Sequence, residues 1–254
     1  MSRGEKVLIV NADDLGRTAG LNAGVFEAHE RGLVSSASLM VGFPAAAEAA
    51  RELPRHPRLG VGLHVTLTGA RPLLPPERVP SLVDAQGRFP AKPEGHRGPR
   101  LEEVLAEVRA QLERFRELTG RLPTHLDSHH HSHRLPGVCE AVVTIAFEHR
   151  LPVRRASPAV AERLAQAGIP TTDAFLERFF GSEATLEVLL ELLATLPPGT
   201  SELMCHPGHP DAELARESGY VAERERELAV LTDPRARAAL ERHGIRLAHF
   251  GELG

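Results

Sequence analysis

Short apolar runs alternate with longer amphipathic stretches along the chain. Apolar runs bounded by turn residues are typical of buried β-strands, and apolar positions that repeat every three or four residues are typical of helices. The clearest repeat predicts a helix over 101–118, with Gly120 soon after it. The other helices are predicted at 20–31, 44–53, 138–149, 160–167, 184–196, 216–231 and 234–243. Strands are predicted at 7–10, 35–41, 59–67, 124–127, 152–155, 170–173, 202–205 and 246–250.

The alternation of strands and helices predicts an α/β fold built on a parallel sheet. We expect an irregular, TIM-like (β/α) barrel of about seven strands, formed as a single domain by residues 1–254. A doubly wound open sheet is the alternative arrangement of the same elements.

Residues 69–100 interrupt this pattern, because they hold seven prolines and four glycines and show no periodicity. A loop of this length inside a compact domain is usually either functional or disordered. The segment directly follows the strand at 59–67. We therefore interpret it as a rim loop over an active site, with a mobile surface insertion as the alternative.

The composition is that of an ordinary soluble globular protein, with 42% hydrophobic and 25% charged residues. A formal net charge of −4 argues against nucleic acid or an anionic membrane as a partner. No stretch approaches the ~20 apolar residues of a membrane span. The N-terminus leads straight into the strand at 7–10 and leaves no room for a secretory signal, so we expect a cytoplasmic protein. Cys139 and Cys205 are far apart in the sequence and show no disulfide framework. For the assembly, a homodimer is the state we consider.

Candidate metal ligands are concentrated in residues 125–133, which contain five of the fourteen histidines and one aspartate. A second acidic feature, the pair Asp13 and Asp14, follows the first predicted strand. Imidazole and carboxylate groups together form ligand sets for divalent ions such as Zn²⁺, Mn²⁺ or Mg²⁺. A purification tag would lie at a terminus and would lack the interleaved Asp127, so the pattern favours a metal site.

The candidate residues share a position relative to the predicted strands. Asp13 and Asp14 follow the strand at 7–10, His64 lies near the end of 59–67, Asp127 and His129 leave 124–127, and His206 follows 202–205. Barrels and open α/β sheets place their chemistry at the carboxyl ends of strands. The four groups are therefore expected to meet in one site.

The acidic pair suggests a division of roles, because neighbouring carboxylates repel each other unless a cation or a proton intervenes. One assignment places Asp14 on the metal ion and makes Asp13 the general base that acts on a water molecule. The alternative is a loop and helix cap. His64 lies in an apolar strand after Gly60 and Gly62, and it is either a metal ligand or a buried structural histidine.

The histidine-rich segment offers more than one candidate ligand. Alternation in an extended chain puts His125, Asp127 and His129 on the same face. His129 is nearest the strand end and is the preferred second imidazole ligand, whereas His125 lies deeper and is either a ligand or structural. Asp127 is expected to orient a histidine or to contact substrate. His131 is a further candidate for a contact of that kind.

His206 is a candidate general acid, because a histidine with a pKa near neutral can protonate a leaving amine. A turn histidine is the alternative. The chain lacks a G-x-G-x-x-G segment after its first strand, a P-loop and a G-x-S-x-G elbow. A metal-activated water is therefore the best available nucleophile.

Four sequence blocks resemble the signature blocks of the YdjC-like carbohydrate deacetylases, a family that includes the chitooligosaccharide deacetylases. They are 11–16 (Asn-Ala-Asp-Asp-Leu-Gly), 62–67 (Gly-Leu-His-Val-Thr-Leu), 124–131 (Thr-His-Leu-Asp-Ser-His-His-His) and 204–208 (Met-Cys-His-Pro-Gly). The resemblance implies an irregular (β/α) barrel and removal of acetyl groups from N-acetylated sugars. It also implies one divalent metal ion, Mg²⁺ or Zn²⁺ first, with Mn²⁺ or Co²⁺ as alternatives. Carried over residue by residue, it implies Asp14, His64 and His129 as ligands, with His125 not excluded, Asp13 as base and His206 as acid.

Together these features predict a hydrolase that removes acetyl groups from short N-acetylated amino sugars. Aromatic residues make up only 4% of the chain, with no Trp and one Tyr. Because sugar rings usually stack on aromatic side chains, a short substrate is favoured over a long polymer. The competing hypotheses are a metal-dependent sugar-binding or regulatory protein without turnover, and a metal-dependent phosphoesterase.

Overall fold

Parallel strands surround one central strand in this protein. The structure is a computed structural model that describes residues 4–253, and its strands come from most of that length. The strands are β1 (Lys6–Leu15), β2 (Ser36–Leu39), β3 (Gly60–Val65), β4 (Leu126–Ser128), β5 (Ala174–Leu176), β6 (Gly199–Cys205) and β7 (Ile245–Leu247). Their order is β4-β3-β2-β1-β6-β5, and β7 pairs with the start of β1. Parallel neighbours need crossover connections, and helices supply most of them here.

Two extended segments, 152–154 and 170–173, span the gap between β4 and β6. Leu126 of β4 exchanges main-chain hydrogen bonds with the first segment, the first bonds to the second, and the second donates to Thr200 of β6. These bonds complete a ring, so the prediction of an irregular (β/α) barrel is confirmed, and the open doubly wound sheet is not what forms. The predicted strands at 152–155 and 170–173 are wrong as regular strands. Each begins with a proline, which lacks the N–H group that a ladder needs.

Helices cover the outside of the sheet, mostly where the sequence predicts them. They are α1 (Ala19–Arg31), α2 (Ala46–Glu52), α3 (Leu101–Thr119), α4 (Pro136–His149), α5 (Pro158–Gln166), α6 (Leu186–Ala194), α7 (Leu214–Glu217), α8 (Ala222–Leu231) and α9 (Pro234–Arg242). The single helix predicted at 216–231 is wrong, because α7 and α8 are separate. Between them the Ser218 hydroxyl accepts a hydrogen bond from the Tyr220 main chain, a local turn that competes with helix. No helix between residues 4 and 253 has the length and apolar character needed to cross a membrane.

The first strand is longer than predicted, and the extra residues shape the site. β1 continues past Val10 to Leu15. The acidic residues Asp13 and Asp14 therefore lie within the last three residues of the strand and not in a following loop. The pairing of β1 with β2 shifts register between Ala12 and Leu15, and Asp14 has a left-handed backbone with φ of 68°. Non-glycine residues in this region are uncommon and concentrate at functional positions.

Residues 69–100 form an irregular segment that is anchored to the barrel. Its buried side chains Val79, Leu82 and Phe89 pack into the core. The buried carboxylate of Glu107 on α3 accepts hydrogen bonds from two main-chain N–H groups of the segment, at residues 73 and 74. Lys92 of the same segment lies at the edge of the large cavity described next. The segment thus brings Lys92 beside the cavity, and its role as a rim loop over an active site stays a prediction.

Candidate active site

A cavity of about 630 Å³ lies at the carboxyl ends of the strands. Six of the residues singled out from the sequence line it, namely Asp13, Asp14, His64, His129, His131 and His206. They come from β1, β3, the segment after β4 and the segment after β6, which the parallel sheet brings to one edge. Asp127 and His125 are fully buried and are not among the lining residues.

Asp14, His64 and His129 bring three potential ligand atoms together. Asp14 Oδ1 is 3.4 Å from His64 Nε2 and 3.1 Å from His129 Nδ1. Ligand atoms bound about 2.1 Å from one ion lie roughly 3.0–3.4 Å from each other. Asp14 Oδ1 is also buried without a hydrogen-bond partner. The three side chains therefore fit a divalent ion, and the two imidazoles favour a first-row transition metal or Zn²⁺ over an ion that prefers oxygen alone.

His64 is held in the orientation that a metal ligand needs. Its Nδ1 is 2.8 Å from Asp127 Oδ1, and the Ser38 hydroxyl donates to the other Asp127 oxygen at 2.8 Å. With Nδ1 turned to this carboxylate, Nε2 faces Asp14. A carboxylate behind a metal-bound histidine fixes the ring and raises its basicity. Burial alone would lower the pKa of His64, but the Asp127 carboxylate raises it to about 10.

A second cluster, formed by Asp13, His64 and Asp127, is close enough to hold an ion but already contains a cation. Arg154 lies between its two carboxylates, donating to both oxygens of Asp13 at 2.7 Å and lying 3.1 Å from Asp127 Oδ2. A metal ion there would have to approach a fully buried guanidinium. The first cluster is therefore the better metal site.

Asp13 is held as a carboxylate beside the metal cluster. The Asn11 side-chain amide donates to Asp13 Oδ1 at 2.9 Å, in addition to the two bonds from Arg154. Burial would raise the pKa of Asp13, but the Arg154 guanidinium lowers it below its usual value. An ionised carboxylate can accept a proton, and its oxygens have fixed positions here.

His206 lies opposite this carboxylate, with Nε2 4.0 Å from Asp13 Oδ2. Its main-chain N–H donates to Glu227, which also accepts a hydrogen bond from the Tyr220 hydroxyl at 2.5 Å. Burial lowers the pKa of His206 to about 4. The near-neutral pKa expected from the sequence is therefore wrong for the metal-free protein, because the loss of water from the ring outweighs the attraction of the Asp13 carboxylate 4.0 Å away.

His125 is placed as a structural residue rather than near the metal cluster. Its ring stacks on Phe250 with centroids 4.0 Å apart, and it fills the space where Gly62 lacks a side chain. A Cβ atom on Gly62 would lie 2.3 Å from the ring. Burial lowers the pKa of His125 to about 3, and it belongs to neither metal-ligand cluster. The alternative of a buried structural histidine, left open by the sequence, matches this position.

The rest of the histidine-rich segment leaves the strand after Ser128 in a 3-10 turn, with His130 and His131 both in left-handed conformation at φ of 52°. His131 lines the cavity edge-on to Phe175, with ring centroids 5.6 Å apart. The His130 ring packs on His129 and lies 3.2 Å from Lys92 Nζ. These two residues thus belong to the wall of the cavity.

Several residues of the site were missed by the sequence analysis. They are Ser38, Arg154, Glu202, Arg224 and Glu227 near the acidic pair, and Phe180 and Tyr220 at the mouth. One signal was available: Arg154 falls within the predicted strand at 152–155, and a charged residue in a buried strand needs a buried partner. Arg224 and Glu227 carry no such signal, because they lie on an amphipathic helix among other charges.

The chain is similar to curated proteins over nearly its whole length. It is 44% identical to a carbohydrate deacetylase of Geobacillus stearothermophilus, over 96% of this chain and 97% of that protein. It is 37% identical to a chitooligosaccharide deacetylase of Yersinia enterocolitica, over 98% of this chain and 99% of that protein.

Solved structures share the fold. A crystal structure from Enterococcus faecalis V583, described with a proposed function as a cellobiose-phosphate cleavage protein, matches with a TM-score of 0.93 and 35% identity, over 98% of this chain and 99% of that one. A cobalt-bound family 4 acetyl xylan esterase from Clostridium thermocellum matches with a TM-score of 0.53 over 98% of this chain and 90% of that one. At 14% identity, that second likeness shows the fold alone.

The YdjC-like protein family matches residues 7–242, which include all four sequence blocks and every lining residue discussed above. With near-complete coverage of relatives at 37–44% identity, this match fixes the family. The chain therefore belongs to the YdjC-like protein family.

Proposed function

We propose that the protein is a metal-dependent hydrolase that removes the acetyl group from short N-acetylated amino sugars. The observation that carries the proposal is the cluster of Asp14, His64 and His129, with the Asp13 carboxylate beside it, at the bottom of a cavity of about 630 Å³. The relatives described as carbohydrate and chitooligosaccharide deacetylases support the same chemistry.

Asp14, His64 and His129 would hold one divalent ion. Of the four candidates, Zn²⁺, Mg²⁺, Mn²⁺ and Co²⁺, the two imidazoles favour Zn²⁺, Mn²⁺ or Co²⁺ over Mg²⁺. When bound, such an ion polarises a carbonyl oxygen and lowers the pKa of a water molecule. Burial lowers the pKa of His129, which favours the neutral ring that a ligand needs, whereas the raised pKa of His64 means that its Nε2 would have to lose a proton on binding an ion.

Asp13 and His206 would carry out the proton transfers of the reaction. Asp13 is ionised and can accept a proton from the attacking water. The His206 ring is neutral at rest, so it has to gain a proton before it can donate one. A leaving nitrogen to one side of the line from Asp13 Oδ2 to His206 Nε2, which are 4.0 Å apart, could lie about 3 Å from both and so within hydrogen-bond reach of both groups. The proton taken from water can then pass to the departing amine.

The sugar ring would lie against Phe180, whose side chain is 45% exposed at the mouth of the cavity. Its other face stacks on Tyr220, with centroids 4.5 Å apart and an interplanar angle of 6°. The Tyr220 hydroxyl bonds to Glu227 and to the main chain of Gly181, which fixes the pair. One such aromatic face suits a short substrate. A cytoplasmic location and a homodimer, expected from the sequence, stay predictions.

The test is acetate release from di- and tri-N-acetylchitooligosaccharides by chelator-treated protein, alone and after addition of Zn²⁺, Mg²⁺, Mn²⁺ or Co²⁺. We expect release that depends on added metal and is lost in Asp13→Asn. Absence of acetate with every metal would reject the proposal. Sugar binding without turnover would then favour a binding protein, and phosphate release from a phosphomonoester would favour a phosphoesterase.

A further inference from the structure

A cation from outside the four sequence blocks contacts the candidate metal ligand. Arg224 lies on α8, and its Nη2 donates to Asp14 Oδ2 at 2.5 Å. Both side chains are almost completely buried, at 3% and 2% exposure. Among residues 4–253, no other arginine, lysine or histidine is paired with that oxygen of Asp14.

The two oxygens of Asp14 therefore have different surroundings. Oδ1 faces His64 and His129 and has no hydrogen-bond partner, whereas Oδ2 is held by Arg224. We propose that Arg224 is a positioning residue that withholds Oδ2 from the metal ion, so that Asp14 offers one oxygen and not two. The proposal rests on the metal role of Asp14 proposed above.

The arrangement of Arg224 allows it to act as a fixed charge. Its Nε donates to the Tyr220 main-chain carbonyl at 3.1 Å, and its guanidinium carbon lies 5.6 Å from the centroid of the Tyr220 ring. With the head group held on two sides, it cannot turn to solvent unless the 218–221 segment opens. A guanidinium draws charge from the carboxylate it contacts. Asp14 is then a weaker ligand, which leaves the bound ion a stronger Lewis acid.

This role predicts a change that a purely structural role would not produce. Loss of a structural contact should loosen the ligands and weaken metal binding. Loss of Arg224 as proposed should tighten it, because a nearby positive charge is removed and a second carboxylate oxygen becomes available. At an effective dielectric constant of about 20, one unit charge close to a divalent ion is enough to change binding by about tenfold or more.

The experiment is a titration of chelator-treated protein with Co²⁺ alone, followed by visible absorption and by calorimetry. Arg224→Met is compared with wild type and with Arg226→Met, the same change at an exposed position of the same helix. We expect Arg224→Met to bind Co²⁺ about tenfold or more tightly, with weaker absorption per ion because an added oxygen raises the coordination number. Arg226→Met should match wild type. Arg224→Lys, which keeps the charge, should lie close to wild type in both readouts.

Three results would overturn the proposal. Unchanged affinity and absorption in Arg224→Met would mean that Oδ2 is not withheld. Weaker Co²⁺ binding with unchanged absorption per ion would mean that Arg224 only supports the fold. Failure of the wild type to bind Co²⁺ would reject the metal site itself, and this outcome separates the failure of the proposed function from the failure of the role of Arg224. If Arg224→Met does not fold by circular dichroism, Arg224→Gln, which also lacks the charge, takes its place with the same expectation of tighter binding.

Discussion

Replacing Arg154 with methionine would remove the guanidinium that lies among the buried carboxylates beneath the site. Arg154 is fully buried and lies 2.7 Å from Asp13, 2.7 Å from Glu202 and 3.1 Å from Asp127. Removing one partner of a buried ion pair costs about 3–5 kcal/mol, because the remaining charge has neither water nor a counter-ion. Arg154 compensates more than one carboxylate. We therefore expect the free energy of unfolding of metal-free Arg154→Met to fall by at least about 3–5 kcal/mol at pH 8.

The cost should depend on pH in a defined direction. In the native protein burial opposes ionisation of Asp13, yet Arg154 holds its pKa below the usual value. A lowered folded pKa contributes stability above the unfolded pKa of about 3.9, and this is lost as pH falls through the folded pKa. Without Arg154, burial would raise the pKa, and the carboxylate would destabilise the fold as pH rises. The destabilisation should therefore be smallest near pH 4 and grow toward pH 8.

Urea unfolding at several pH values, with a chelator present, measures this difference. Arg163→Met is the matched control, because Arg163 binds both oxygens of Glu140 at 2.7 and 2.8 Å. Those side chains are 33% and 44% exposed, so their pair should contribute about 1 kcal/mol or less. If both substitutions cost the same small amount at every pH, the reasoning from buried charge is refuted.

Four further substitutions test the proposed roles. Asp13→Asn should keep the metal but lower kcat by about 10²–10⁴-fold, since an amide cannot accept the proton. Metal analysis checks that the ion is retained, and steady-state kinetics measure the loss of kcat. His206→Ala should lower kcat more than it raises KM for the same substrate, and equal effects would assign it to binding. Phe180→Ala should raise KM for a diacetylated chitooligosaccharide by about 2–10-fold with little change in kcat, if stacking contributes about 0.5–1.5 kcal/mol. Burial raises the pKa of Glu227 to about 7, so native stability should decline as pH rises from about 4.5 through 7; thermal melts of Glu227→Gln should lack that part of the decline.

The parallel barrel could be predicted because the periodicities of strands and helices depend on residues that are close together in the sequence. The helix predicted over 101–118, for example, is capped by Gly120 as expected, and the φ of 71° there is one that glycine adopts readily. The predicted element boundaries were less accurate where residues distant in sequence determine the local structure. The strand at 7–10 continues to Leu15 because β2 and β6 pair with its second half, and no periodicity within 11–15 reports those partners.

The candidate site, like the fold, was predicted only where neighbouring residues carry the signal. His64 and His129 could be predicted because imidazoles at strand ends form a recognisable pattern. The position of His125 was left open, since only the packing of Gly62 and Phe250 decides it. The pKa of His206 was misjudged, because burial of a ring is a property of the folded chain. Of the two arginines that reach the acidic pair, Arg154 left a local signal in its predicted strand, whereas Arg224 falls outside any local pattern.

The pairing of β1 has a consequence for the order of events in folding. Lys6 pairs with Gly199 and with Ile245, and Asn11 pairs with Ser36 and with Met204. During synthesis the strand that carries the acidic pair emerges before its partners. β2 follows soon after it, but β6 and β7 follow only after most of the intervening chain. Contacts between residues so far apart in sequence slow folding and expose unpaired strand edges on the ribosome. The apolar run at 7–10 of β1 would thus keep one edge unpaired until β6 is synthesised, and an unpaired apolar strand is a segment that chaperones protect.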